Sequence, residues 1–262
     1  ILVYLSPTFR YLAKVRFFRS DPTLAIPSAL KQQSLDWMII PCASPSSFVT
    51  DLLRFYESRD TRTIVAMDNW DNLTSKSVFP VHPNFITVMG KKDINYAKLI
   101  HEINEEKVLP YGLPRLDVYR LRSREKVLRF SEVIQILYCG FSLAHSEKKV
   151  IDDLAKSLEE QLGIGKFEIT YRPHPGALPR FDSYEIANPR IRKYTFEDLT
   201  RTELPVTDLK FIHEIFKFDL VVGGPTTLLL EAMILGKPCV LDLTEDGYHR
   251  TTAGNAARRY TH

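Results

Sequence analysis

The chain has 262 residues. That is more than one typical domain of about 100 to 200 residues, so two modest domains are expected. With 44% hydrophobic and 26% charged residues it can fill a core and still carry a solvated surface, which excludes disordered and collagen-like classes. The net charge of +3 comes from 35 basic and 32 acidic side chains with no long Lys/Arg block, which argues against a nucleic-acid partner and leaves an anionic small molecule open.

Apolar runs of strand composition alternate with longer amphipathic stretches, the pattern of βα units and parallel sheets. In chain order, the first half predicts strands at Ile1 to Leu5, Trp37 to Pro41, Thr63 to Met67 and Phe85 to Met89. Helices are predicted over Phe48 to Glu57 and Ile94 to Glu106. The stretch Tyr111-Gly112-Leu113-Pro114-Arg115 and the basic segment Arg120 to Arg129 follow, placing the expected boundary near residue 121, with domains 1–121 and 122–262. The second half predicts strand Val133 to Cys139, helix Lys148 to Leu162, strand Phe167 to Tyr171 and helix Leu209 to Phe216. Strand Leu220 to Val222, helix Thr227 to Leu235 and strand Cys239 to Leu243 complete it.

The longest apolar run, Leu220 to Leu230, is shorter than the roughly 18 residues of a membrane-crossing helix and runs into Glu231. The start at Ile1 has no charged n-region or cleavage site of a secretory signal. Cys42, Cys139 and Cys239 are isolated in strand-like runs, unlike a disulfide framework or a zinc site, so buried thiols in the cytoplasm are expected.

Nine of the 11 glycines, from Gly140 onward, lie in the second half. Glycine lets backbone amides approach a phosphate, so this half is the better candidate for a nucleotide; loops also need glycine for their own turns. The most informative segment runs from Phe218 through Gly223-Gly224-Pro225-Thr226-Thr227 to Glu231, then Gly236-Lys237-Pro238. It reads as strand, tight turn, helix, break and strand. The turn places amides and two hydroxyls at a helix N-terminus, which suits a phosphate; Thr226 as a simple helix cap uses the same geometry. Glu231, one helical turn beyond Thr227, is either a ribose contact or a solvated helix charge.

Ile169-Thr170-Tyr171-Arg172-Pro173-His174-Pro175 is an apolar strand that ends in Arg and His between two prolines. The prolines stiffen the exit, and Arg172 and His174 can both donate to an oxyanion. Asp68-Asn69-Trp70-Asp71-Asn72-Leu73-Thr74-Ser75-Lys76 follows a first-half strand. The loop is either an Asx-rich turn or a site; Trp70 either anchors it or stacks on a sugar ring, and Asp68 or Asp71 can serve as general base. Asp71 is the preferred base, because Asp68 closes the strand and is placed to cap the turn. Gly140 and Ser142 end the first strand of the second half, where a small turn often lines the cleft, and Ser142 and His145 are candidate phosphate or acceptor contacts. Asp242, Glu245, Asp246, His249 and Arg250 follow the last strand, as a ligand edge or as a solvated loop. Zinc-hydrolase, P-loop and α/β-hydrolase motifs are absent, and no clustered ligand set calls for a metal.

Together these residues resemble the GT-B class of glycosyltransferases, in which two Rossmann-like domains face each other. The Gly223 to Glu231 segment and Gly236-Lys237-Pro238 look like the donor-nucleotide element of that class. Arg172-Pro173-His174-Pro175 looks like the His-Pro element of enzymes using CMP- or CDP-activated donors, including teichoic-acid CDP-glycerol glycerophosphotransferases. In those enzymes a Trp-His-Gly-x-x-x-Lys loop provides the base, and Trp70 to Lys76 has the same length and ends, with Asp71 in the place of His. The chain is shorter than most of the class, which implies a short version of the fold.

The resemblance implies a cytoplasmic, metal-independent glycosyltransferase of surface polysaccharide biosynthesis, without a bound cofactor. Its substrates are a nucleotide-activated sugar and a glycan or lipid-linked acceptor, the latter compatible with peripheral membrane association. Catalytic roles then fall to Asp71, Asp68 and His174; Arg172, His174, Gly140, Ser142, Gly223, Gly224, Thr226, Thr227 and Glu231 hold the donor, and Trp70 and Lys76 hold the acceptor. A UDP-sugar 2-epimerase and a non-catalytic nucleotide-sugar-binding protein are the alternatives.

Overall fold

The computed structural model describes residues 21–42, 44–122, 132–140, 147–174, 188–194 and 212–244, with residues 7, 8, 11, 12 and 15. The chain divides into two compact units, Ile1–Leu116 and Asp117–His262.

The first unit holds β1 (Trp37–Cys42), β2 (Arg62–Met67), β3 (Phe85–Thr87) and β4 (Val108–Leu109), paired in that order and all parallel. Among the described residues, α1 (Ser28–Lys31) precedes β1, and α2 (Ser47–Glu57), α3 (Asn72–Ser75) and α4 (Lys91–His101) lie along the connections. Helix α2 starts where the Ser46 hydroxyl accepts the Val49 N–H at 3.2 Å. Its apolar positions Val49, Leu52, Leu53 and Tyr56 recur at helical spacing and pack into one core with Ile40, Cys42, Val65, Met67 and Ile86.

Helix α4 departs from the predicted Ile94 to Glu106. It begins earlier, where Asp93 Oδ2 accepts the Gly90 N–H at 2.9 Å, and it stops at Glu102, whose φ of 58° is left-handed. Strand β3 likewise ends at Thr87 rather than Met89, and β4, two residues long, is too short to stand out in composition.

The second unit opens with α5 (Asp117–Arg122), followed by β5 (Ile134–Cys139), α6 (Glu147–Leu162), β6 (Phe167–Arg172) and β7 (Ile191–Lys193). The chain then adds β8 (Leu220–Gly223), α7 (Thr227–Ile234) and β9 (Cys239–Leu241). The sheet is all parallel, in the order β7-β6-β5-β8-β9. From β5 the chain therefore steps outward through β6 to β7 and returns to β8 on the other side of β5. Open α/β sheets bind ligands beyond the carboxyl ends of the two strands that flank such a reversal, here β5 and β8. Ile151 and Ala155 of α6 pack against Ile136, Tyr138, Phe167, Ile169 and Tyr171 beneath that edge.

The edges of this sheet are differently built. At the amino end the Gln135 N–H donates to Asp219 Oδ2 at 2.8 Å and the Asp219 N–H to the Gln135 carbonyl at 2.7 Å. Lys237 Nζ donates to the carbonyls of Phe216 at 3.1 Å and Phe218 at 2.7 Å. The Gly236-Lys237-Pro238 break thus enters β9 at the edge opposite the Gly223-Gly224 turn and ties the loop before β8. Strand β9 ends at Leu241, short of the predicted Leu243, and β7 was not predicted. Of the predicted helix Leu209 to Phe216, residues 212–215 are helical. The predicted strand Ile1 to Leu5 lies outside the described residues.

Gly223 owes its identity to strand packing: a Cβ there would stand 2.7 Å from the Cys139 carbonyl oxygen and 3.0 Å from Cys139 Cβ. Both obstacles belong to the adjacent strand and cannot swing away. Gly223→Ala is expected to destabilise the second unit by about 1 to 3 kcal/mol, the range for overpacking a filled core. Urea unfolding checks this, and an unchanged midpoint refutes it.

Candidate functional site

The register of the second sheet brings three strand ends abreast, with Cys139 paired to both Arg172 and Gly223. The Gly140 N–H donates to the Arg172 carbonyl at 2.9 Å, which closes the β5–β6 pair just before Pro173 and His174. Arg172 and His174 are both half-buried there. Gly140, Arg172, His174, Gly223, Gly224, Thr226 and Thr227 therefore all lie at the carboxyl edge, around the reversal between β5 and β8. Ser142 and His145 lie outside the described residues.

Thr226 occupies the position before α7, yet its side chain makes no capping hydrogen bond. The hydroxyl is thus not occupied by the helix, and the positive end of the helix faces the carboxyl edge of the sheet. Glu231, read from the sequence as a ribose contact or a solvated charge, is only 4% exposed, which removes the second option. It helps to push the Cys139 thiol up, after burial itself, while the Arg172 guanidinium acts in the opposite sense. Both charges are therefore felt at the end of β5.

Two more buried carboxylates lie at this edge. Asp242, 6% exposed, accepts the Tyr138 hydroxyl at 2.7 Å through Oδ2 and the Thr244 N–H at 2.8 Å through Oδ1. Its own N–H donates to the Gly223 carbonyl at 2.7 Å, so Asp242 clasps β9 to β8 and β5. Burial, reinforced by the Asp242 charge, raises the Tyr138 phenol. Residues 245–250 lie outside the described ones. Glu147, which no sequence motif marks, is 1% exposed at the start of α6, and its Oε2 accepts the Tyr171 hydroxyl at 2.5 Å. Its only local signal was an acidic residue opening an amphipathic helix.

In the first unit the loop after β2 carries the other candidates. Asp68 is tied into the loop: its N–H donates to the Cys42 carbonyl at 3.3 Å, and its Oδ1 accepts from Asn72 Nδ2 at 2.6 Å. Asp71 precedes α3, with Oδ2 accepting the Ser75 hydroxyl at 2.6 Å and lying 4.0 Å from Lys76 Nζ. Its side chain is 17% exposed rather than projecting into solvent, and its Oδ1 is buried without a hydrogen-bond partner. Lys76 is 45% exposed, and Trp70 is half-buried. A cavity of about 670 Å³ lined by Glu57, Phe79, His82, His101 and Lys107 lies at the amino edge of this sheet and contains none of these residues.

Burial, with the Asp68 charge, pushes Cys42 up to about 12, and burial also raises Cys139 and Cys239. None of the three is poised as a nucleophile at neutral pH. Among the described residues, no helix is long and apolar enough to cross a membrane, and no group of three or more His, Cys, Asp or Glu is placed to hold a metal ion.

No protein-family model and no curated protein matches the sequence. Among solved structures, UDP-GlcNAc 2-epimerase from Methanocaldococcus jannaschii is 15% identical, with a TM-score of 0.52 over 83% of this chain and 64% of that one. The structure of S. aureus MnaA with UDP is 11% identical, with a TM-score of 0.51 over 88% of this chain and 61% of that one. The fold is that of the GT-B enzymes. The wall teichoic acid polymerase TagF with CDPG, also GT-B, is 13% identical over 94% of this chain and 80% of its own, with a TM-score of 0.43. This chain spans 61% to 64% of the length of the MnaA structure and of the UDP-GlcNAc 2-epimerase structures it matches.

Proposed function

We propose that this chain is a GT-B enzyme that uses a nucleotide-activated sugar, and that it is a glycosyltransferase acting on a glycan or lipid-linked acceptor. The observation that carries the reading is that the Arg172-Pro173-His174 exit of β6 and the Gly223 to Thr227 turn after β8 leave the same carboxyl edge on either side of β5, at the sheet reversal. A guanidinium, an imidazole and a helix N-terminus all favour an anion there.

On this reading Arg172, His174, Thr226 and Thr227 take the donor phosphate beside the backbone of Gly140, Gly223 and Gly224, and Glu231 takes ribose hydroxyls. Asp71 accepts the proton of the acceptor hydroxyl, with Trp70 and Lys76 holding the acceptor. The acceptor oxygen attacks the anomeric carbon, the bond from that carbon to the phosphate oxygen breaks, and the electron pair leaves with the phosphate. The cationic groups stabilise the charge that develops on that oxygen, so the scheme requires neither a metal nor a resident cofactor.

The GT-B epimerase neighbours keep a second reading open, in which the nucleotide sugar is converted without an acceptor. A thermal-shift panel of UDP-, CMP-, CDP- and GDP-linked donors tests the shared premise, because a ligand of the folded state raises its melting temperature. A shift with at least one donor is expected, and none with any refutes the proposal. Donor consumption that needs an added acceptor supports the transferase, and consumption without one supports the epimerase.

A further inference from the structure

The proposed chemistry leaves Glu147 without a task, although its carboxylate is among the most deeply buried groups of the second unit. Taking a carboxylate out of water is unfavourable unless hydrogen bonds hold it, so its placement is under strong constraint. Its contacts with Tyr171 and over Gly140 bear on the strand exit. Oε2 accepts the hydroxyl of Tyr171, the buried residue immediately before Arg172. The carboxylate also fills the space over Gly140. A Cβ built on that glycine would meet Glu147 Oε2 at 2.7 Å, the His174 backbone nitrogen at 3.0 Å and Glu147 Oε1 at 3.2 Å.

Gly140 in turn holds the Arg172 carbonyl through its N–H. Glu147 thus engages the segment on both sides of Arg172: it bonds the tyrosine before it and packs at the point where Gly140 and the His174 amide converge. As the first residue of the 16-residue α6, it also sits at a helix end that favours negative charge.

We propose that Glu147 is a positioning residue that fixes the exit of β6 so that Arg172 and His174 are presented together to the anionic group of a nucleotide. The inference rests on the nucleotide reading of the second unit. Glu147 acts through Tyr171 and the backbone at residues 140 and 174, not by touching the ligand. Its acceptor oxygen and its volume are what matter, so Glu147→Gln preserves the role and Glu147→Ala removes it.

Calorimetric titration with UDP and with CDP, at a temperature where circular dichroism shows each variant folded, tests this. Glu147→Ala is expected to weaken binding by about tenfold and Glu147→Gln by less than about threefold, with Tyr171→Phe between them. In an Arg172→Ala background, Glu147→Ala should add less than about threefold, because the group it positions is gone. Ile151→Val, elsewhere on α6, should leave the affinity unchanged. If the Glu147 and Arg172 effects multiply independently, or if Glu147→Ala lowers Tm at wild-type affinity, the positioning role is overturned and the nucleotide reading stands. Should Glu147→Ala fail to fold, wild-type affinity in Tyr171→Phe overturns it equally. A wild-type protein that binds neither nucleotide overturns both.

Discussion

Arg172→Ala will weaken nucleotide binding by about 1.5 to 3 kcal/mol, the range for a hydrogen bond to a charged group, or roughly 10- to 150-fold in Kd. Arg172 stands at the end of β6, abreast of the end of β5, and is half-buried, so its charge is less screened than that of a fully exposed arginine. Lysine at this position keeps the charge and loses the planar fork, so Arg172→Lys should recover only part of the affinity. The effect should shrink with a nucleoside that lacks phosphate, because the partner of the guanidinium is then absent. Titration of wild type and both variants with UDP, CDP and the matching nucleosides checks this. Equal loss for nucleotide and nucleoside would show a collapsed site, and unchanged nucleotide affinity would remove Arg172 from the phosphate role.

The second large effect is expected at Asp71. Asp71→Asn should lower turnover by about 10² to 10⁴ while donor affinity stays near wild type, as for the loss of a general base. Asparagine keeps the shape of the side chain and a carbonyl oxygen for Ser75, so the rate loss reports the missing proton acceptor rather than an opened loop. The buried Oδ1 has no hydrogen-bond partner, so it is not committed to the loop as Oδ2 is. Asp68 is differently placed, because its Oδ1 already takes the Asn72 amide. Asp68→Asn retains an acceptor for that bond and should leave turnover near wild type. Turnover and donor affinity of the two variants decide between them: normal turnover in Asp71→Asn, with loss in a folded Asp68→Asn, reverses the assignment.

The sequence was most legible where a local pattern ends abruptly. Apolar runs that stop at Cys139-Gly140, at Arg172-Pro173 and at Gly223-Gly224 mark the carboxyl ends of β5, β6 and β8, and the structure ends those strands within one residue of the predicted positions. The helical spacing along α2 and α6 was equally visible, since a stripe facing one sheet must recur every three to four residues. Helix α4 was misjudged at both ends. Its limits depend on a side-chain bond from Asp93 to the Gly90 amide and on a left-handed Glu102, which apolar spacing does not report.

By itself, then, the sequence determined that the chain is α/β, that it has two βα-patterned halves, and that its Arg-His and Gly-Gly-Pro-Thr-Thr segments follow strands. These are consequences of periodicity and of the residues that stop a strand, both local properties. Only the tertiary structure decided that β8 returns to the free side of β5, which sets Gly140 and Gly223 at one reversal and makes Gly223 obligatory beneath the Cys139 carbonyl. It alone buried Glu147, Glu231 and Asp242, and it paired the first with Tyr171 and the last with Tyr138. It also moved Lys237 to the opposite edge of the sheet, where it ties down the carbonyls of Phe216 and Phe218. Strand order and carboxylate burial depend on partners that are remote in the chain, and the pattern of a residue's own neighbours in sequence does not name those partners.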